Sequence, residues 1–102
     1  MNFDLVVSAA AYSDMESAAI WYEDQSQGLG HKFLQEVKDA FKRIQASPER
    51  YPLAESEKKS RFHFLKSPFR SYKIIYQFTG KAITIIAVFH SSQNPNIWQA
   101  RN

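Results

Sequence analysis

The chain has no cysteine among its 102 residues, which excludes a disulfide framework, a thiolate nucleophile and a thiolate metal site. A reducing cytoplasm is the compartment that this composition fits. Glycine is scarce, with three in all, and none follows the strand-to-helix pattern of a phosphate-binding loop, so NTPase chemistry is excluded. No uninterrupted apolar run is longer than Ile85 to Phe89, far below the roughly 20 residues a membrane helix needs. The N-terminus also lacks the basic-then-apolar order of an export signal. Neither a membrane span nor export is expected.

The remaining absence concerns acids. Residues 1–57 hold all 10 acids against 5 of the 13 Lys/Arg, whereas residues 58–102 hold the other 8 and no acid. The halves therefore carry about −5 and +8. A local positive field of this kind attracts a polyanion or an acidic protein segment. A hydrophobic share of 44% over 102 residues supports one modest core, so residues 1–102 are expected to form a single domain.

The pattern predicts an α+β fold. Phe3, Leu5 and Val7 alternate with Asn2, Asp4 and Val6, the period of a short half-buried strand. From Ser8 the period changes: Met15, Ala18, Ala19 and Tyr22 share one helical stripe. Ser8 is the expected cap, with Ser13 and Glu16 as a competing capping box. Gly28 and Gly30 tolerate positive φ and open a tight connection to a second helix. There Phe33, Leu34, Val37, Phe41 and Ile44 keep the 3.6 period until Ser47-Pro48. This is a helical hairpin with one apolar side.

Residues 48–60 contain Pro48, Pro52 and a charged run without apolar periodicity, and are expected to be a mobile loop. Three alternating segments follow, Arg61 to Lys66, Ser71 to Thr79 and Ala82 to His90, the last two joined by a hairpin at Gly80-Lys81. Along the middle segment Tyr72, Ile74, Tyr76 and Phe78 share one face and Lys73, Ile75 and Gln77 the other; the alternation does not say which face meets the helices. The last segment is apolar on both faces, as a central strand is. Asn94-Pro95 reads as the cap and first position of a short helix containing Trp98.

For chemistry, His31, His63 and His90 lack the paired spacing of zinc ligands, so no metal site and no cofactor are expected. No serine occupies a nucleophile elbow, and the acid-free half offers no carboxylate to orient a triad around His63 or His90. What the strands do assemble is Arg61, His63, Lys66, Arg70, Tyr72, Lys73, Tyr76 and His90. That inventory suits RNA cleavage by its own 2′-hydroxyl, which requires proton transfer and cations over a phosphorane but no metal. In such a site His90 would move protons, Arg61 and Lys66 would hold phosphate, and Tyr76 would stack a base or donate its hydroxyl. Each has a structural alternative: Tyr76 in the core, Arg61 and Lys66 as solvated strand ends, His90 as a sheet cap.

The order and spacing of several landmarks resemble the RelE/ParE superfamily of toxins from type II toxin–antitoxin systems, including plasmid-stabilisation proteins. They are Ala11 with Asp14, Trp21-Tyr22, Leu29-Gly30 with Phe33, Ile44 with Pro48, Tyr51-Pro52, Tyr72-Lys73-Ile74-Ile75-Tyr76, Val88-Phe89-His90, and Asn94-Pro95 with Trp98 and Arg101. The resemblance spans almost the whole chain. It implies a strand and helical hairpin packed on a curved antiparallel sheet, and a cognate antitoxin that covers or distorts the basic sheet groove.

Activities divide within that superfamily. RelE-like members cut mRNA in the ribosomal decoding site, and ParE-like members poison DNA gyrase without a nuclease site. The resemblance places Arg61 at a basic position of the second strand and His90 at the histidine closing the last strand, with Lys66 a looser match. Ribosome-dependent mRNA cleavage by Arg61, Lys66, Tyr76 and His90 is the favoured expectation. Many relatives follow that histidine with arginine, whereas this chain reads His90-Ser91-Ser92-Gln93-Asn94-Pro95, so a phosphate-holding cation is absent. Two alternatives therefore stand. One is a gyrase inhibitor acting through the helical hairpin or C-terminal tail; the other is a degenerate toxin that keeps only antitoxin binding. The residues leave self-association of the chain open.

Overall fold

The computed structural model describes residues 3–55 and 60–101. The elements are β1 (Asp4–Val7), α1 (Ala9–Gln25), α2 (Leu29–Ala46), β2 (Leu53–Glu55), β3 (Ser60–Phe64), β4 (Tyr72–Phe78), β5 (Ala82–His90) and α3 (Asn96–Gln99). The strands form one sheet in the order β1-β5-β4-β3-β2. The helical hairpin covers one face of it, giving the expected α+β architecture.

Ser8 caps α1: its Oγ accepts the Ala11 N–H at 3.1 Å, satisfying one of the donors that a helix start leaves free. Ser13 lies within the helix. The α1–α2 turn uses its glycines in two ways. Gly28 adopts φ +86°, open to glycine at little cost. Gly30 is helical; its missing side chain lets α2 approach the Ala19 carbonyl of α1. The Glu23 carboxylate accepts from both N–H groups, at 2.8 Å and 3.0 Å, and so places negative charge at the start of α2.

Two findings alter the expected sheet. First, β1 pairs parallel with β5, Asp4 opposite Ala82 through Val7 opposite Ile85, so the sheet is mixed rather than wholly antiparallel. Alternation marks a strand but carries no direction, and parallel pairing needs only a long crossover, here the rest of the chain. Second, the 48–60 segment expected as a loop contains β2, a three-residue edge strand anchored where the Phe62 N–H donates to Pro52 O at 3.1 Å. Residues 56–59 of that segment lie outside the described residues. As expected, β5 is central.

The core lies between hairpin and sheet. Ala11, Met15, Ala18, Phe33, Val37 and Ile44 from the helices pack on Ile74, Tyr76, Ile83, Ile85 and Val88. The Tyr72/Ile74/Tyr76/Phe78 face of β4 is thus the one that meets the helices. The opposite face holds a smaller cluster of Ile75, Ile86, Ala87, Phe89 and Trp98, with Phe62 against it. A register shift between Ile75 and Tyr76 adds Ile86 to β5, and the C-terminal α3 brings Trp98 over this outer side. The Asn94 side chain accepts the Asn96 N–H at 3.0 Å, but α3 begins at Asn96 with Pro95 at the cap position and no side-chain cap bond, one residue later than the Asn-Pro reading expects.

Candidate functional site

The sheet register separates the four residues singled out for RNA chemistry. Arg61 on β3 faces Tyr76 on β4, whereas His90 on β5 faces Tyr72. Four residues along β4 and two strand spacings across amount to about 13 Å and about 10 Å. The Arg61 and His90 backbones therefore sit about 16 Å apart on that lattice, and the Arg61 guanidinium is held by carbonyls of the 49–51 segment. Lys66 lies beyond the end of β3 with its side chain exposed.

Arg61 and Tyr76 are brought together, and both serve the 48–51 segment. Arg61 Nη1 donates to Tyr51 O at 2.6 Å and Glu49 O at 3.2 Å. The Tyr76 hydroxyl donates to Pro48 O at 2.5 Å from a fully buried ring. Burial pushes that phenol well above its usual range, although nearby Arg61 opposes the shift. Tyr76 is therefore a core residue, and its ring cannot stack a base: alternation along β4 placed it on a face without revealing that the helices cover that face.

His90 is oriented by its own loop. The Ser92 N–H donates to Nδ1 at 3.0 Å, Ser92 Oγ lies 2.7 Å from the same nitrogen, and the His90 N–H donates to Gln93 Oε1 at 2.8 Å. A backbone donor at Nδ1 makes that nitrogen the acceptor, which assigns the proton of the neutral ring to Nε2. The bare nitrogen that a general base needs thus faces the protein's own backbone.

Sequence reasoning did not find two polar clusters. Arg43 Nε donates to His63 Nε2 at 3.0 Å while its Nη1 and Nη2 hold the Glu36 carboxylate at 3.3 Å and 2.7 Å. Glu36 also accepts the Lys66 N–H at 2.7 Å, and the Tyr51 ring lies 4.1 Å from that of His63. Burial, reinforced by Arg43, lowers His63 to about 4. Burial alone would raise Glu36, but its bonds from Arg43 and the Lys66 N–H hold it below the usual carboxylate range. The second cluster joins Asp14, Arg101 and the Val88 N–H. Asp14 and Arg101 were visible as landmarks; their pairing was not, because no local period links residues so far apart.

A cleft of about 700 Å³ opens between α1 and the ends of β4 and β5. Its aromatic wall runs Trp21, Tyr22, Tyr72, His90, with successive ring centroids 5.2, 6.0 and 4.9 Å apart. On the outer face of the sheet, Lys73 Nζ stands 5.1 to 5.9 Å from the rings of Phe62, Phe64 and Phe89, a cation–π arrangement beside a half-exposed Phe64. Among the described residues, no three His, Asp or Glu side chains gather as metal ligands, and no helix is long and apolar enough to cross a membrane.

A comparison with curated proteins finds no match. Among solved structures the fold is similar to a chain of the "Chromosomal ParDE TA system from P. aeruginosa", with a TM-score of 0.74 and 16% identity, covering 86% of this chain and 95% of that one. In sequence, residues 5–95 match the model of the family described as "ParE toxin of type II toxin-antitoxin system, parDE". A match over nearly the whole chain, on a strand, helical hairpin and sheet of the corresponding architecture, means that the chain belongs to the ParE toxin family of type II toxin–antitoxin systems.

Proposed function

We propose that this chain is a toxin that acts by binding a protein target, DNA gyrase, and that a cognate antitoxin neutralises it by covering the outer face of its sheet. The observation that carries the choice of a protein target over mRNA is the state of the expected nuclease residues. Tyr76 is buried with its hydroxyl bonded to Pro48 O, and Arg61 is bonded to Tyr51 O and Glu49 O. His90 turns its basic nitrogen to Ser92, its backbone about 16 Å from that of Arg61 on the strand lattice. Removing even one cation from a phosphoryl site typically costs a few kcal/mol of transition-state stabilisation. Here the groups do not converge.

Neutralisation is supported by charge. Residues 58–102 carry no acid, and Lys66 and Arg70 are exposed. Lys73 lies over the phenyl rings of the outer face. An acidic amphipathic segment suits the outer face, with apolar residues against Phe62 and Phe64 and a carboxylate near Lys73.

Two assays run in parallel test the reading: supercoiling of relaxed plasmid by purified gyrase, and primer extension on an mRNA in a reconstituted translation system. Inhibited supercoiling with intact message, unchanged by His90→Ala, is expected. Cuts in the ribosomal decoding site that disappear in His90→Ala would instead establish ribonuclease action.

A further inference from the structure

Helix α1 carries large apolar side chains outside its buried face. Ala11, Met15, Ala18 and Ala19 are buried against the sheet and α2, yet Tyr12, Ile20 and Trp21 outside that stripe are 61%, 58% and 56% exposed. At 100° per residue Ile20 and Trp21, with Glu16, Ser17 and Asp24, fall within about 140° on one outer surface, whereas Tyr12 stands about 180° round the helix from Trp21, on the other flank. A surface helix normally turns mostly polar groups to solvent there; on α1 two large apolar side chains, Ile20 and Trp21, share that surface with Glu16, Ser17 and Asp24. Trp21 and Ser17 also line the 700 Å³ cleft, so the exposed surface runs directly into a concave site. In the tautomer set by Ser92, His90 offers its Nε2–H as a donor in that cleft.

Charge selects the occupant. α1 contains Asp14, Glu16, Glu23 and Asp24 and no lysine or arginine. Asp14 is neutralised by Arg101 and Glu23 caps α2, which leaves Glu16 and Asp24 exposed beside the apolar residues. Nucleic acid phosphates would be repelled by such a surface. The acidic antitoxin segment argued above belongs on the basic outer face of the sheet, away from the helices. A second copy docked α1 to α1 across a two-fold axis would set these acids against their own kind.

We propose that the outer face of α1, continued into the cleft beside Trp21, is the surface that grips the protein target. The partner segment inserts an apolar side chain between α1 and the ends of β4 and β5, and sets lysine or arginine over Glu16 and Asp24. This deepens the protein-directed reading and rests on it. Large aromatic anchors with a charged rim are the usual energetic centre of such an interface.

Purified gyrase is the probe, with Ile20→Lys, Glu16→Lys and Trp21→Ala as variants. The two lysine substitutions replace exposed side chains and keep the core. Each variant is expected to raise the half-inhibitory concentration at least about tenfold, with melting temperature and antitoxin affinity unchanged. Unchanged inhibition by all three overturns the assignment. So does a parallel loss of antitoxin affinity, which gives the face to the antitoxin, or a dimer-to-monomer shift in sedimentation, which gives it to a second copy. If the unsubstituted chain does not inhibit gyrase, that reading fails separately, and the variants are scored on growth arrest after induction without antitoxin. Arrest lost in folded variants then upholds the surface, and arrest retained overturns it. A parent chain that arrests nothing overturns both readings.

Discussion

Asp14 and Arg101 meet in a two-point ion pair, Nη1 to Oδ2 at 2.7 Å and Nη2 to Oδ1 at 3.1 Å, across 87 residues of sequence. Asp14 also accepts the Val88 N–H at 3.0 Å, and Arg101 Nη1 donates to Ile86 O at 3.1 Å. β1 ends at Val7, opposite Ile85, and beyond that point these two side chains, together with Ser8 Oγ at Ile86 O, occupy the free edge of β5. The pair thus substitutes for a missing length of strand and ties the chain's C-terminal residues to α1.

Asp14→Ala strands both the Val88 N–H and the Arg101 guanidinium, and should destabilise the fold by about 1–3 kcal/mol in urea unfolding. Arg101→Ala should cost less, about 1 kcal/mol, because the pair is partly solvated. The double variant should fall short of additivity by at least about 0.5 kcal/mol; strict additivity would show that the pair contributes no coupling.

The His63 cluster predicts acid lability. An unfolded histidine titrates near 6.5, whereas folded His63 is lowered to about 4 by burial and then by Arg43. Between those values the unfolded chain binds more protons than the folded one, so stability falls as pH drops from about 6.5 towards 4. Glu36, also lowered, acts in the same direction: its contribution is present above the unfolded carboxylate value and lost as pH falls. His63→Asn should flatten the stability profile across that interval. A direct check is the His63 ring proton shift followed by NMR, where a midpoint near 6.5 in the folded protein would contradict the burial argument.

Gly30→Ala tests the helix crossing. A Cβ at this position would overlap the Ala19 carbonyl oxygen, a backbone atom that cannot turn aside. Separation of the helices should cost about 1–3 kcal/mol, seen as a melting temperature lowered by several degrees. A variant that melts with the parent would mean that the hairpin does not depend on this close approach.

Period and punctuation made most of the elements legible in the sequence. Phe33, Val37 and Ile44 could only line one side of a helix; Ser8 announced the start of α1; Gly80, at φ +93°, turned β4 into β5 where the alternation broke. The three-residue β2 was invisible because it has no room for a period and is defined by its neighbour β3. The direction of β1 was invisible for a related reason: alternation is unchanged when a strand is reversed.

The candidate site was less legible than the fold. His90 was legible as the histidine that closes the last strand, and the structure places it in a cleft beside Tyr72. Arg61 and Tyr76 looked equally chemical, yet side-chain type does not reveal whether a donor is free. Their hydrogen bonds to Tyr51 O, Glu49 O and Pro48 O were decided by where the segment after α2 comes to rest.

By itself, then, the sequence determined the α+β class, the hairpin, the central β5 strand and the segregation of charge, because each follows from local spacing or from counting along the chain. Tertiary structure alone decided which face of β4 the helices cover, that Tyr76 is buried, that Asp14 finds Arg101, and that Tyr12, Ile20 and Trp21 stay exposed. Those outcomes depend on distances between residues far apart in the chain, which a local pattern does not encode.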